Sequence, residues 1–120
     1  MRLGELERAV MNELWRRREG ALARDLAEAL PSHPAITTVL TILERLTRKG
    51  IVSRTREGRA HRYFAVESKD AHVAGLMQEA LAGAGDRESA LSHFLHSASV
   101  DDVAALRRML KALDPPEAQN

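Results

Sequence analysis

Leu6, Val10 and Leu14 recur at helical spacing with Ala9 beside them, while Glu7, Arg8 and Glu13 fall elsewhere around the turn. This pattern predicts an amphipathic helix over residues 3–18, ended by Gly20. Leu22, Leu26 and Leu30 repeat the same spacing in a shorter second helix that Pro31 and Pro34 break. A third helix begins near Ile36 with an apolar set of Ile36, Val39, Leu40, Leu43 and Leu46, and Gly50 stands where a left-handed C-cap is expected. Beyond Gly50 the period shifts towards two: Ile51–Arg56 alternates apolar or hydroxyl with basic residues, Glu57-Gly58-Arg59 supplies a turn, and His61–Val66 carries Tyr63, Phe64 and Val66. Three helices followed by a hairpin is the order of a winged helix-turn-helix, in which the first two helices and the hairpin cover the apolar side of the third.

From Ser68 the helical period returns. Val73, Leu76, Met77, Ala80 and Leu81 form one stripe, ended by Gly83 and Gly85. A short helix with Leu91, Phe94 and Leu95 follows, and Ser99 with Asp102 forms a capping box for a last helix. That helix turns Val103, Leu106, Leu110 and Leu113 inward before Pro115-Pro116. Three short helices hanging from a small domain bury such faces most economically against a second copy of themselves. The expected plan is therefore mainly α with a small β wing: a DNA-binding winged helix over residues 1–67 and a helical dimerisation domain over residues 68–120. Leu76, Leu81, Leu91, Phe94, Leu95, Leu106, Leu110 and Leu113 are the expected dimer interface.

With 120 residues, 44% hydrophobic but only 3% aromatic, the chain must build one small core from Leu, Val, Ile and Ala. The absence of cysteine excludes disulfides, thiolate metal sites and a cysteine nucleophile. No apolar run of membrane-spanning or signal length occurs, so the cytoplasm is the expected compartment. The formal charge of +1 conceals a division: residues 1–66 hold 13 Lys and Arg against 8 Asp and Glu, a net of +5, whereas residues 67–120 hold 5 against 9, a net of −4. The basic half is the natural surface for a polyanion.

On the third helix Thr38, Thr41, Arg45 and Arg48 point in nearly one direction at about 100° per residue, with Thr37 beside them. A helix lying in the DNA major groove needs such a face, with hydroxyls and methyls for base edges and cations for guanine or phosphate. Base contact is assigned to Thr37, Thr38 and Thr41, since the N-terminal residues of a recognition helix reach the bases. Backbone contact is assigned to Arg45, Arg48 and Lys49, and on the hairpin to Arg59, Arg62 and Tyr63. Arg54, Arg56 and His61 fall in the same basic cluster, His61 without a role.

Four stretches, LERAVMNELW, TTVLTILERLTRKGIV, RAHRYFAV and the LSHFL…DDVAALRRML ending, resemble the penicillinase-repressor family of bacterial transcription repressors, the group represented by BlaI and MecI. The resemblance spans nearly the whole chain. It implies a homodimer whose winged helices grip the two halves of a dyad operator on double-stranded DNA and whose C-terminal helices hold the dimer. It also implies repression of genes, often for β-lactam resistance and a membrane-bound sensor protease, with release by a cut in the C-terminal domain. In members of the staphylococcal type the cut falls at an Asn-Phe bond, and the matching position here is His93-Phe94. The copper-responsive branch carries a cysteine-rich metal site, which this chain has no residues to build.

Other classes fare worse. The chain has no HExxH, no glycine-rich phosphate loop and no serine with evident His and acid partners, so neither catalysis nor a cofactor is expected. His93 and His96 stand three apart, but two histidines without further ligands make no metal site. The rival reading is a winged helix used only for protein interaction, its basic hairpin meeting an acidic partner. The Thr/Arg helix face and the segregated charge argue for DNA.

Overall fold

The computed structural model describes residues 3–114. The elements run α1 (Glu5–Arg16), β1 (Ala21–Leu22), α2 (Ala23–Ala29), α3 (Ile36–Arg48), β2 (Val52–Glu57), β3 (Ala60–Ala65), α4 (Lys69–Ala82), α5 (Arg87–Ser97) and α6 (Val100–Leu113). The three helices, hairpin and three further helices are those the apolar periods predict. β1 is an addition: its two residues pair antiparallel with β3 through Ala21–Tyr63 and Leu22–Arg62, giving the sheet order β1-β3-β2. A two-residue strand carries no period of its own, and Leu22 reads instead as the start of the second helix, which begins one residue later.

The core lies among α1, α2, α3 and the sheet. Val10, Met11 and Leu14 from α1, Leu26 and Leu30 from α2 and its cap, and Val39, Leu43 and Leu46 from α3 are 1% exposed or less. At about 1.5–3 kcal/mol for each large apolar side chain withdrawn from water, this cluster is the dominant stabilising term of the domain. On α3 the inward set differs from expectation by one step around the helix. Ile42 is buried, whereas Ile36 and Leu40 are 46% and 41% exposed.

Two glycines fix the geometry around α3 and the wing. Gly50 closes α3 with φ +84°, its N–H reaching the Thr47 carbonyl at 3.0 Å while the Ile51 N–H reaches Leu46 at 3.2 Å. This paired pattern is the left-handed cap expected at Gly50, and it swings Ile51 back against the core. Gly20 has φ +77°, and a Cβ there would stand 2.6 Å from the Tyr63 carbonyl oxygen and 2.7 Å from the Phe64 ring, so only glycine lets the chain pass so close to β3. Between α2 and α3, His33 adopts φ +44°, and its N–H bonds the Leu30 carbonyl at 3.0 Å.

The chain divides into two compact units, Met1–Met77 and Gln78–Asn120, with the division inside α4. The first turns of α4 belong with the winged helix. Ser68 caps it by accepting from the Ala71 N–H at 3.1 Å, and His72, 7% exposed, packs 5.2 Å from the Trp15 ring of α1. The Trp15 indole N–H donates to the Glu67 carbonyl at 3.1 Å, tying the exit of β3 to α1. In the second unit Asp86 caps α5 and Ser99 caps α6, the latter accepting from the Asp102 N–H as its spacing predicts. Among the described residues no helix is long and apolar enough to cross a membrane.

Candidate nucleic-acid interface

Burying Val39, Ile42, Leu43 and Leu46 leaves the opposite side of α3 in solvent, and Thr37, Thr38, Thr41, Arg45 and Arg48 are all exposed there. The helix starts without a side-chain cap, Ala35 standing at the cap position, and its first turn holds no acidic residue. Its N-terminal N–H groups and the positive end of its dipole are thus open to an anion. The Thr41 hydroxyl donates back to the Thr37 carbonyl at 3.0 Å, which leaves its oxygen as an acceptor and its methyl group, but no free proton.

Thr38, Thr41 and Arg45 share a depression of ≈ 420 Å³ with Ile42 and with Gly4, Leu6 and Glu7 at the start of α1. Glu7 accepts from the Gly4 N–H at 3.0 Å and pairs with Lys49 at 3.4 Å. The Gly4 N–H first, then Lys49 and Arg45, hold the Glu7 carboxyl below the usual carboxylate range against the opposing effect of its burial. Lys49 is therefore already engaged by a neighbouring acid, unlike Arg45 and Arg48, for which no ion pair is seen among the described residues.

The hairpin sorts its basic residues onto two faces. Cross-strand partners share a face, and Arg54 pairs with Tyr63 and Arg56 with His61. Tyr63 is 4% exposed and belongs to the core, so Arg54, Arg56 and His61 continue the helix-packed face of the sheet outward past the core's edge. A phosphate contact by Tyr63 is thereby withdrawn: its ring is enclosed by the helices, not presented on the wing. The sequence signal was the strict alternation of β3 itself, in which Tyr63 falls opposite in sense to Arg62. On the other face Arg62 is held by Glu57 at 2.7 and 3.4 Å and by the Gly20 carbonyl at 3.4 Å. The Glu57 hydrogen bond raises the pKa of the guanidinium further. Arg59 lies exposed on the turn, beside Gly58, whose carbonyl accepts from Arg56 at 3.2 Å.

In the C-terminal half, Leu91, Phe94 and Leu95 of α5 and Leu110 and Leu113 of α6 are 44–78% exposed, and Leu76, Leu81 and Leu106 are partly buried. His93-Phe94 falls in the middle of α5, and His96 bonds the Ser92 carbonyl at 2.8 Å through Nδ1.

The family model described as Penicillinase repressor matches residues 3–112 of this chain. The chain is 48% identical over 118 residues to the transcriptional regulator BlaI of Mycobacterium tuberculosis, in strains CDC 1551 and H37Rv alike, covering 94% of this chain and 86% of the relative. Among solved structures, a MarR family protein from Bacillus stearothermophilus is similar in fold, with a TM-score of 0.51 at 18% identity, covering 94% of this chain and 74% of that one.

Proposed function

We propose that this chain, which belongs to the penicillinase repressor family, is a homodimeric repressor acting in the cytoplasm through sequence-specific binding of a dyad DNA operator. It is a transcriptional regulator and not an enzyme, in keeping with the named regulators it matches. The observation that carries the DNA reading is the open face of α3, where exposed hydroxyls at the N-terminal end run into Arg45 and Arg48, exposed and without an ion pair among the described residues, at the C-terminal end.

In this reading Thr37, Thr38 and Thr41 meet base edges, with Thr41 accepting from an adenine or cytosine amino group because its own proton is used. Arg45, Arg48, Lys49 and Arg59 neutralise phosphates, joined by Arg54 and Arg56 on the helix-facing side of the wing. Arg62 does so in competition with Glu57. The exposed leucines of α5 and α6 support a dimer closed by the C-terminal helices, with residues 1–67 as reader and 68–120 as clamp. The family resemblance supports release by a membrane-bound sensor protease acting at His93-Phe94 and control of β-lactam resistance-type genes. Because that bond lies within α5, cleavage requires the helix to unwind first.

The test is a titration against DNA from upstream of the chain's own gene and against scrambled DNA, at several salt concentrations. Selective binding by two protomers, with log K falling steeply against log salt, is the expected result. Equal weak binding to both DNAs returns the chain to the protein-interaction reading.

A further inference from the structure

We infer that Ile36 and Leu40 form a thymine-reading surface on α3, taking the C5 methyl groups of operator thymines in the major groove. The inference rests on the operator-binding reading above and deepens it by naming the chemistry that is read. Both side chains are large and apolar, and 46% and 41% exposed, on the helix whose other apolar residues are 6% exposed or less. They stand one turn apart, i and i+4, so they present one continuous apolar strip. Leu40 lies three residues from Thr37 and adjoins Thr41, placing that strip along the edge of the face assigned to base contact and in the N-terminal half of the helix, which reaches the bases.

The neighbouring threonine strengthens the case independently. With its hydroxyl proton given to the Thr37 carbonyl, Thr41 offers a methyl group and an acceptor, a poor partner for the acceptor-rich guanine edge. The surface that α3 turns outward at this end therefore combines this apolar strip and the Thr41 methyl with the exposed Thr37 and Thr38, and thymine is the one base carrying an apolar group in the major groove. The next position along the strip is the exposed Glu44, and Arg48 and Arg45 lie beyond it around the helix, so the strip borders the cationic face across one acidic residue. An apolar protein partner would meet those charges with nothing to neutralise them.

The experiment uses the full chain and the site it enriches from random-sequence DNA. Each thymine of that site is replaced singly by deoxyuridine, which removes the methyl and leaves base pairing unchanged. The expected result is a loss of roughly three- to fivefold per methyl at one or two thymines in each half-site and no change elsewhere. Leu40→Ala, which truncates a half-exposed side chain, is expected to bind thymine and uracil sites equally at those positions. A uracil scan that is flat while the chain still separates its site from scrambled DNA overturns the inference and leaves the proposed function standing. Undiminished thymine preference in both Leu40→Ala and Ile36→Ala also overturns it, as does a change of oligomeric mass without change of thymine preference, which assigns the strip to a protein contact. A chain that enriches no site defeats the operator-binding reading itself, and this inference with it. The uracil scan needs no protein variant, so misfolding of Leu40→Ala cannot mask the outcome.

Discussion

Arg62 shows how a single residue's partners decide what a surface can do. Its guanidinium is shared between Glu57 and the Gly20 carbonyl on the face of the wing away from the helices. A solvent-exposed ion pair is screened and too weak to hold an arginine against a phosphate at low salt. Glu57→Gln is therefore expected to strengthen DNA binding roughly two- to tenfold and to steepen the salt slope by up to about 0.9, the contribution of one phosphate. Arg62→Ala should remove that gain, and weaker binding by Glu57→Gln would make Glu57 the residue that positions Arg62. Glu7 plays the opposite part. Its carboxyl is held low by the Gly4 N–H, Lys49 and Arg45, so its contribution to stability is present above the usual value of 4.5 and is lost as pH falls below it. Glu7→Gln, which keeps an acceptor for the Gly4 N–H but loses the charge, should cost roughly 0.3–1 kcal/mol at neutral pH and less at about pH 3, below the usual 4.5. Urea midpoints at the two pH values check this, and an equal cost at both would show that charge is not the cause.

At the scale of elements, the close approach of Gly20 to β3 is what sets the wing. Gly20→Ala places a Cβ against the Tyr63 carbonyl and the Phe64 ring at positive φ, and is expected to lower stability by roughly 2 kcal/mol or more. Thermal unfolding measures the loss, and an unchanged melting temperature would mean that β1 detaches at little cost. The apolar period shows α1, α3 and the three C-terminal helices in the sequence, and the cap at Gly50, because each has a repeating stripe and a stop residue. β1 left no trace, since two residues cannot show a period and Gly20 reads equally well as a plain helix stop. The reversal on α3, with Ile42 inside and Leu40 outside, was illegible for a related reason. Its apolar residues span so wide an arc that spacing alone cannot say which edge the core takes, and contact with α1 and α2 decides it. The threonine and arginine face was legible because it is the complement of the unambiguous centre, Val39, Leu43 and Leu46. The pairing of Arg62 and the burial of Tyr63 required the register of β2 against β3.

For the whole molecule, the decisive quantity is the coupling between the reading face and the C-terminal helices. Of the described large apolar side chains that remain exposed, most lie from Val73 onward, including Leu110 at 63% and Leu113 at 78%. That half also carries the net negative charge, which keeps it from competing for DNA with the basic half. A second copy covering α5 and α6 would both hide this surface and bring a second reading face to the same operator. Once one half-site is bound, the other protomer sees its half-site at an effective concentration of millimolar order, worth about 10²–10⁴ in affinity without any new contact. Leu110→Glu puts a charge on the proposed interface at a position that is not part of any core within the chain, so folding should survive. The expected outcome is a fall in solution mass to the single-chain 13.3 kDa together with an operator affinity lower by about that factor. Its residual binding should keep the same thymine dependence in one half-site, because the reading face is untouched. An unchanged dimer mass would move the interface elsewhere. A monomer that binds the operator as tightly as the parent would mean that each winged helix reads its half-site alone.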